Sequence, residues 1–138
     1  MRARFSGALA LAVAGVLTIS CGGIIDPSSN ALETFNGTVP KGGVSPGFPF
    51  TVGKTGEFTV KITALTPASS AVMGVAYGQA NGDGTCPASP APIQQNNFVL
   101  LNAPALTGQI FSGRYCAYVY DVGSLTAAQQ FTITVSHP

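Results

Sequence analysis

Between Glu57 and Leu65 the chain reads EFTVKITAL, with its apolar residues on every second position. Phe58, Val60, Ile62 and Ala64 share one parity, and Thr59, Lys61 and Thr63 take the other. Successive side chains of a strand point to opposite faces, so this pattern predicts a half-buried β-strand. The same signal recurs along the chain between turn formers. LETFNGTV (Leu32–Val39) runs into PKGGVSPG, and FPFTV (Phe48–Val52) runs into GKTG. VMGVAYGQ (Val72–Gln79) stops at ANGDG, and NFVLLN (Asn97–Asn102) follows the proline-rich CPASPAPIQQN. A weaker segment covers Leu106–Phe111, and RYCAYVYDV (Arg114–Val122) and QFTITVS (Gln130–Ser136) close the chain. Beyond the N-terminal segment, no stretch of ten residues carries a helical apolar period, and SLTAAQQ amounts to one turn at most. Short alternating segments at near-regular spacing predict an all-β domain over residues 32–138: an antiparallel, jelly-roll-like β-sandwich of about eight strands.

The N-terminal segment follows a different pattern. Arg2 and Arg4 precede an apolar run from Phe5 to Ile19, relieved only by Ser6, the glycines and Thr18, which has the charged and apolar regions of an export signal. At about 15 residues the run is shorter than the roughly 20 needed to span a bilayer core. Leu17, Thr18, Ile19 and Ser20 lead into Cys21, and this order resembles the bacterial lipobox. The resemblance implies that residues 1–20 are a lipoprotein signal peptide, that Cys21 carries a thioether-linked diacylglyceryl group, and that cleavage makes it the first residue. The alternative is an ordinary signal peptide with Cys21 incidental. Residues 21–31, including GGIIDPSSNA, lack periodicity and read as a flexible tether. The expected location is the bacterial cell envelope, at the outer membrane or at the periplasm or cell surface, with the membrane reached through Cys21.

Composition narrows the partners. Only 8% of residues are charged, while Gly and Pro number 17 and 10 of 138, a balance that favours turn-rich β structure over helices. Removing Arg2 and Arg4 leaves Lys41, Lys54, Lys61 and Arg114 against Asp26, Glu33, Glu57, Asp83 and Asp121. Four scattered bases cannot neutralise a phosphate backbone, so no nucleic-acid partner is expected. An envelope protein or a polysaccharide is the partner class that remains.

Three cysteines allow one pair and one remainder. Cys116 sits among Tyr115, Ala117 and Val119, which have core parity, so it shares the opposite face with Tyr118 and Tyr120. Cys86 follows the ANGDGT turn. In an oxidising compartment the two are expected to form a disulfide, because a zinc site would need more ligands than they and His137 supply.

Candidate chemistry is sparse. His137 is the only histidine and lies one residue from the chain end, where residues are often poorly held, so it reads as an exposed bystander. Asp83 and Asp121 read as turn formers. ANGDGT carries oxygen ligands at Asn81 and Asp83 but lacks the rest of an EF-hand, and no phosphate loop is present. No catalytic residue, metal site or cofactor is therefore assigned. A small secreted hydrolase is the rival class, and it requires two acids, or one acid and His137, in one pocket. The remaining candidate is a ligand surface formed by Tyr118 and Tyr120, joined by Tyr77 if its strand is adjacent; exposed aromatics of this kind stack on sugars or pack in interfaces.

With these segments placed, ETFNGTV, the FPFTV and GEFTVKITAL pair, SGRYCAYVYDVG and the closing FTITVSHP resemble the bacterial pre-peptidase C-terminal domains, small β-sandwich modules of secreted proteins. The resemblance spans Leu32 to Pro138. It implies a non-catalytic module, of a kind that in some members binds calcium or polymeric substrates, and it supplies no binding residue here.

Overall fold

The computed structural model describes residues 27–89 and 91–138. Cys21 and the segment before it lie outside the described residues. Pro27–Ser29 form a single 3-10 turn, and eight strands follow. These are β1 (Ala31–Val39), β2 (Phe48–Val52), β3 (Gly56–Thr66), β4 (Met73–Gln79), β5 (Pro92–Val99), β6 (Pro104–Ile110), β7 (Gly113–Asp121) and β8 (Gln129–His137). They form two four-stranded sheets, β1-β8-β3-β6 and β2-β7-β4-β5, antiparallel throughout.

The order follows one rule. First pairs with last, second with seventh, third with sixth and fourth with fifth. The chain is a long hairpin with its tip between β4 and β5, rolled so that β8 also meets β3 and β7 also meets β4. This is the jelly roll that the alternation predicts.

Between the sheets lies the core. Phe58, Val60 and Ile62 of β3 and Phe131, Ile133 and Val135 of β8 face Phe50 and Val52 of β2, Met73, Val75 and Tyr77 of β4, and Tyr115, Ala117 and Val119 of β7. Aromatic rings interlock within it. Phe58 meets Tyr77 edge-on with centroids 5.0 Å apart, and Tyr77 meets Tyr115 at 5.7 Å.

The structure departs from the sequence pattern in three places. Alternation in β3 breaks between Ile62 and Ala64, where the register against β8 shifts. A bulge reverses side-chain parity, so Leu65 is buried in place of Ala64. The fifth strand occupies Pro92–Val99, not Asn97–Asn102. Asn102 has a positive φ of 65°, and Leu100 and Leu101 lie exposed beside it in the turn to β6. PIQQNN escapes a hydrophobicity reading because an edge strand with only Val99 buried needs no apolar parity.

Third, His137 is buried at 3% exposure, contrary to its reading as an exposed bystander. β8 is a central strand, so even its last residues are clamped, His137 opposite Ala31 of β1 and Ser136 opposite Thr59 of β3. Its Nε2 lies 2.8 Å from Oε1 of Glu33, and its ring lies against Phe50.

Candidate uncharged cleft on the outer sheet face

The outer face of the β2-β7-β4-β5 sheet carries the tyrosine candidates, and register decides which of them share it. Tyr118 lies opposite Ala76, Tyr120 opposite Gly74, and Cys116 opposite Gly78. Tyr77 lies opposite Ala117, a core residue, and so points inward. The expected three-tyrosine surface is therefore corrected: Tyr77 packs against Phe58 and Tyr115 in the core, and burial together with the Tyr115 phenol raises its pKa above the ordinary 10.0.

Tyr118 and Tyr120 do share the outer face, with different fates. Tyr118 is only 1% exposed, because residues 80–89 fold over it and its hydroxyl donates to the Pro87 carbonyl at 3.0 Å. Tyr120 remains half-buried and donates to Oδ1 of Asn97 at 2.5 Å. Burial raises the pKa of both phenols.

Small residues make this arrangement possible. A Cβ on Gly74 would overlap the Tyr120 ring, and one on Gly47 would overlap Cys86 and the Tyr118 ring. The Tyr120 ring lies over Gly74 of β4, where a larger outward side chain would lift it off the sheet.

The disulfide holds the loop in place. Cys86 and Cys116 are bonded, with Cα atoms 5.7 Å apart across a sequence separation of 30, and this pairing fits an oxidising compartment. The preceding turn is internally tied. Oδ1 of Asp83 accepts from the Thr85 amide and hydroxyl at 2.9 and 2.7 Å, and Arg114 donates to the Gly82 carbonyl at 2.7 Å. The Thr85 bonds hold the Asp83 carboxyl below its ordinary pKa. Asn81 and Asp83 thus serve the turn, and no group of three His, Cys, Asp or Glu side chains that could hold a metal occurs among the described residues.

The opposite wall is the segment before β2. Ser45 donates its amide to the Val119 carbonyl at 2.8 Å, and Val44 forms a bridge with Tyr120. Asp121 fixes this wall. Its Oδ2 accepts from the Gly42 amide at 2.8 Å, while Oδ1 accepts from Gly123, Ser124 and Leu125. These four amides lower its pKa, Gly42 most.

Between the walls lies a groove of about 390 Å³, floored by Ala76, Tyr118 and Tyr120 and bordered by Val44, Ser89, Pro92 and Gln95. A second hollow, of about 380 Å³, adjoins it across Tyr120 and is lined by Asn97, Phe98, Tyr120 and Val122. No charged side chain lines either one. Phe98, which alternation alone did not single out, is 80% exposed. Its signal was Val99, whose burial turns the preceding residue outward.

Among the described residues the acids stay apart from one another. Asp83 sits beside the start of β7 and Asp121 at its end, about 24 Å apart at strand rise, and Glu57 belongs to the other sheet. Glu33 and His137 do meet, as a pair at the edge of the core against Phe50. A larger hollow of about 480 Å³ lies between loops 67–72 and 124–129, and its Gln129, Ser69 and Ser124 side chains bond to each other or to nearby carbonyls. Among the described residues, no helix is long and apolar enough to cross a membrane. No family model matches the chain, and no match is found among curated proteins.

Proposed function

We propose that this protein is an exported bacterial lipoprotein, anchored through Cys21, that presents one disulfide-stapled jelly roll as a non-catalytic binding module at the cell envelope. The observation that carries the reading is the cysteine accounting. Cys86 and Cys116 consume each other, so Cys21 is the one thiol left over, and it stands at the end of an apolar export segment where a lipobox cysteine belongs. Two or more acyl chains hold stably where one gives only reversible attachment. The role agrees with what the resemblance to pre-peptidase C-terminal domains implies, a folded accessory module without chemistry of its own.

The test is metabolic labelling with a radiolabelled fatty acid, followed by membrane fractionation. The wild-type protein should take up label and sediment with membranes, and Cys21→Ala should do neither. Label and partitioning unchanged in Cys21→Ala would refute the anchor.

A second reading, contact with carbohydrate, is favoured by the groove at Tyr120. It sets an aromatic ring beside amide and hydroxyl groups with no charge in its lining, the combination that suits a sugar ring. The hydrolase alternative has less support, because the one acid–histidine pair is packed against the core and lines neither hollow of the cleft.

A further inference from the structure

Resting on the carbohydrate reading of the Tyr120 groove, we propose that the two hollows form one continuous cleft for a neutral polysaccharide chain, with Phe98 as the aromatic platform of a second sugar subsite.

The two hollows share Tyr120 as a common wall. A ligand passing from one to the other therefore spans at least two rings, which selects a polymer over a free monosaccharide. The lining is complementary to an uncharged ligand. Gln95 and Ser89 border the first hollow and Asn97 the second, and no Lys, Arg, Asp or Glu lines either. An anionic chain would find no cation to replace its lost hydration, and a cationic one no carboxylate. A pyranose has apolar C–H faces and a rim of hydroxyls, and it meets the two requirements together: rings to cover the faces, amides that both donate and accept at the rim.

The backbone that carries Phe98 is held on both sides. Val99 anchors the strand in the core on one side, and on the other the Phe98 amide donates to Oδ1 of Asn96 at 2.9 Å. A ring at 80% exposure leaves apolar surface in water that a ligand covering it would bury.

Location selects a partner away from the membrane. The chain enters the domain where Ala31 lies beside His137, and Asn30 donates to the Glu57 carbonyl at 2.9 Å. Phe98 and Val122 lie at the other pole, where Met73 pairs with both Val99 and Asp121. The eight steps of β7 separate the poles by about 27 Å. A domain anchored through Cys21 carries this cleft at the pole far from its point of attachment, within reach of a polymer beyond the lipid.

The test is affinity electrophoresis of the full exported protein, purified in detergent, in native gels containing hydroxyethylcellulose, mixed-linkage β-glucan, arabinoxylan or glucomannan, with alginate as the anionic control. At least one neutral polymer should retard the protein and alginate should not. Phe98→Ala should weaken retardation roughly tenfold with the thermal midpoint unchanged, and Gln95→Ala, which marks the first hollow, should also weaken it. Retardation lost in Gln95→Ala but intact in Phe98→Ala keeps the groove reading and overturns the Phe98 subsite. Equal retardation by alginate overturns the neutral specificity. Absence of retardation by every neutral polymer overturns both, as does Phe98-dependent self-association in sedimentation without retardation, which would assign the pole to a protein contact.

Discussion

Removing the disulfide by Cys86→Ala/Cys116→Ala should lower the thermal midpoint by about 15 °C. The magnitude follows from the loop it closes. Cross-linking residues 30 apart removes about 12 cal/mol/K from the unfolded chain, or roughly 3.6 kcal/mol at 25 °C. A domain of about 110 residues unfolds with an entropy near 0.23 kcal/mol/K, which converts that loss to about 15 °C. Packing should not mask the effect. Cys116 is fully buried, but truncating one sulfur on each side leaves only a small void. The assay is calorimetry of the oxidised wild type, the wild type with reductant, and the double variant, the last two melting together. A local reporter follows from the same contact. The Tyr118 hydroxyl donates to the carbonyl of Pro87, the residue next to Cys86, so releasing the loop should return its phenol towards the ordinary 10.0, seen by absorbance titration. A midpoint shift below about 4 °C would refute the entropic reasoning, and an unchanged phenol titration would refute the loop's role in covering Tyr118.

Two further perturbations probe the walls of the cleft. Gly74→Val should displace the Tyr120 ring, on which its Cβ would fall; the expected cost is about 1–3 kcal/mol by chemical denaturation, with a changed tyrosine signal in near-ultraviolet dichroism. Asp121→Asn should flatten the acid limb of stability. The wild-type carboxyl has a lowered pKa, so its contribution is present above the ordinary 3.8 and is lost as pH falls through the lowered value. Midpoints measured between about pH 2 and 5 should therefore depend less on pH in the variant, and identical profiles would show that the four amides do not favour the charged form.

How far the sequence carried depends on where burial makes a pattern. β3 and β8 bury one face and expose more of the other, so Phe58 to Ile62 and Phe131 to Val135 are legible by parity. β7 is covered on both faces, and its parity shows instead in Tyr115, Ala117 and Val119. The same parity put Cys116 on the outer face, where it meets Cys86. Parity within a strand says nothing of register between strands, and this is why Tyr77 was grouped with Tyr118 and Tyr120. Only the pairing of Tyr77 with Ala117 sends it inward. The rule that chain ends are poorly held applies to free termini and fails for His137, whose strand is paired on both sides. Gln94 and Asn96 of β5 show why the edge strand was invisible. Both amides donate across to β6 carbonyls, of Thr107 and Ala105, sealing the sandwich with polar groups where a hydrophobic pattern was sought.

The composition of β4 explains how the cleft comes to be only partly open. A strand favours branched and aromatic residues, yet its outward positions are Gly74, Ala76 and Gly78. Two glycines in a strand cost about 1–2 kcal/mol together. Burying the Tyr118 ring on the same face, where Tyr118 lies opposite Ala76, offsets a similar amount, about 2 kcal/mol. The exchange is near neutral for stability, and what it changes is shape. Tyrosines beside small neighbours let residues 40–47 and 80–89 settle close on the near part of the face, the latter tied by the disulfide. Towards the far pole the covering stops, and Tyr120, Asn97 and Phe98 are left at the surface. A chain selected for stability alone would have extended the cover or made Phe98 polar. On the proposed reading, the exposed Phe98 ring at the pole opposite Ala31 is the part of this face that a ligand would cover.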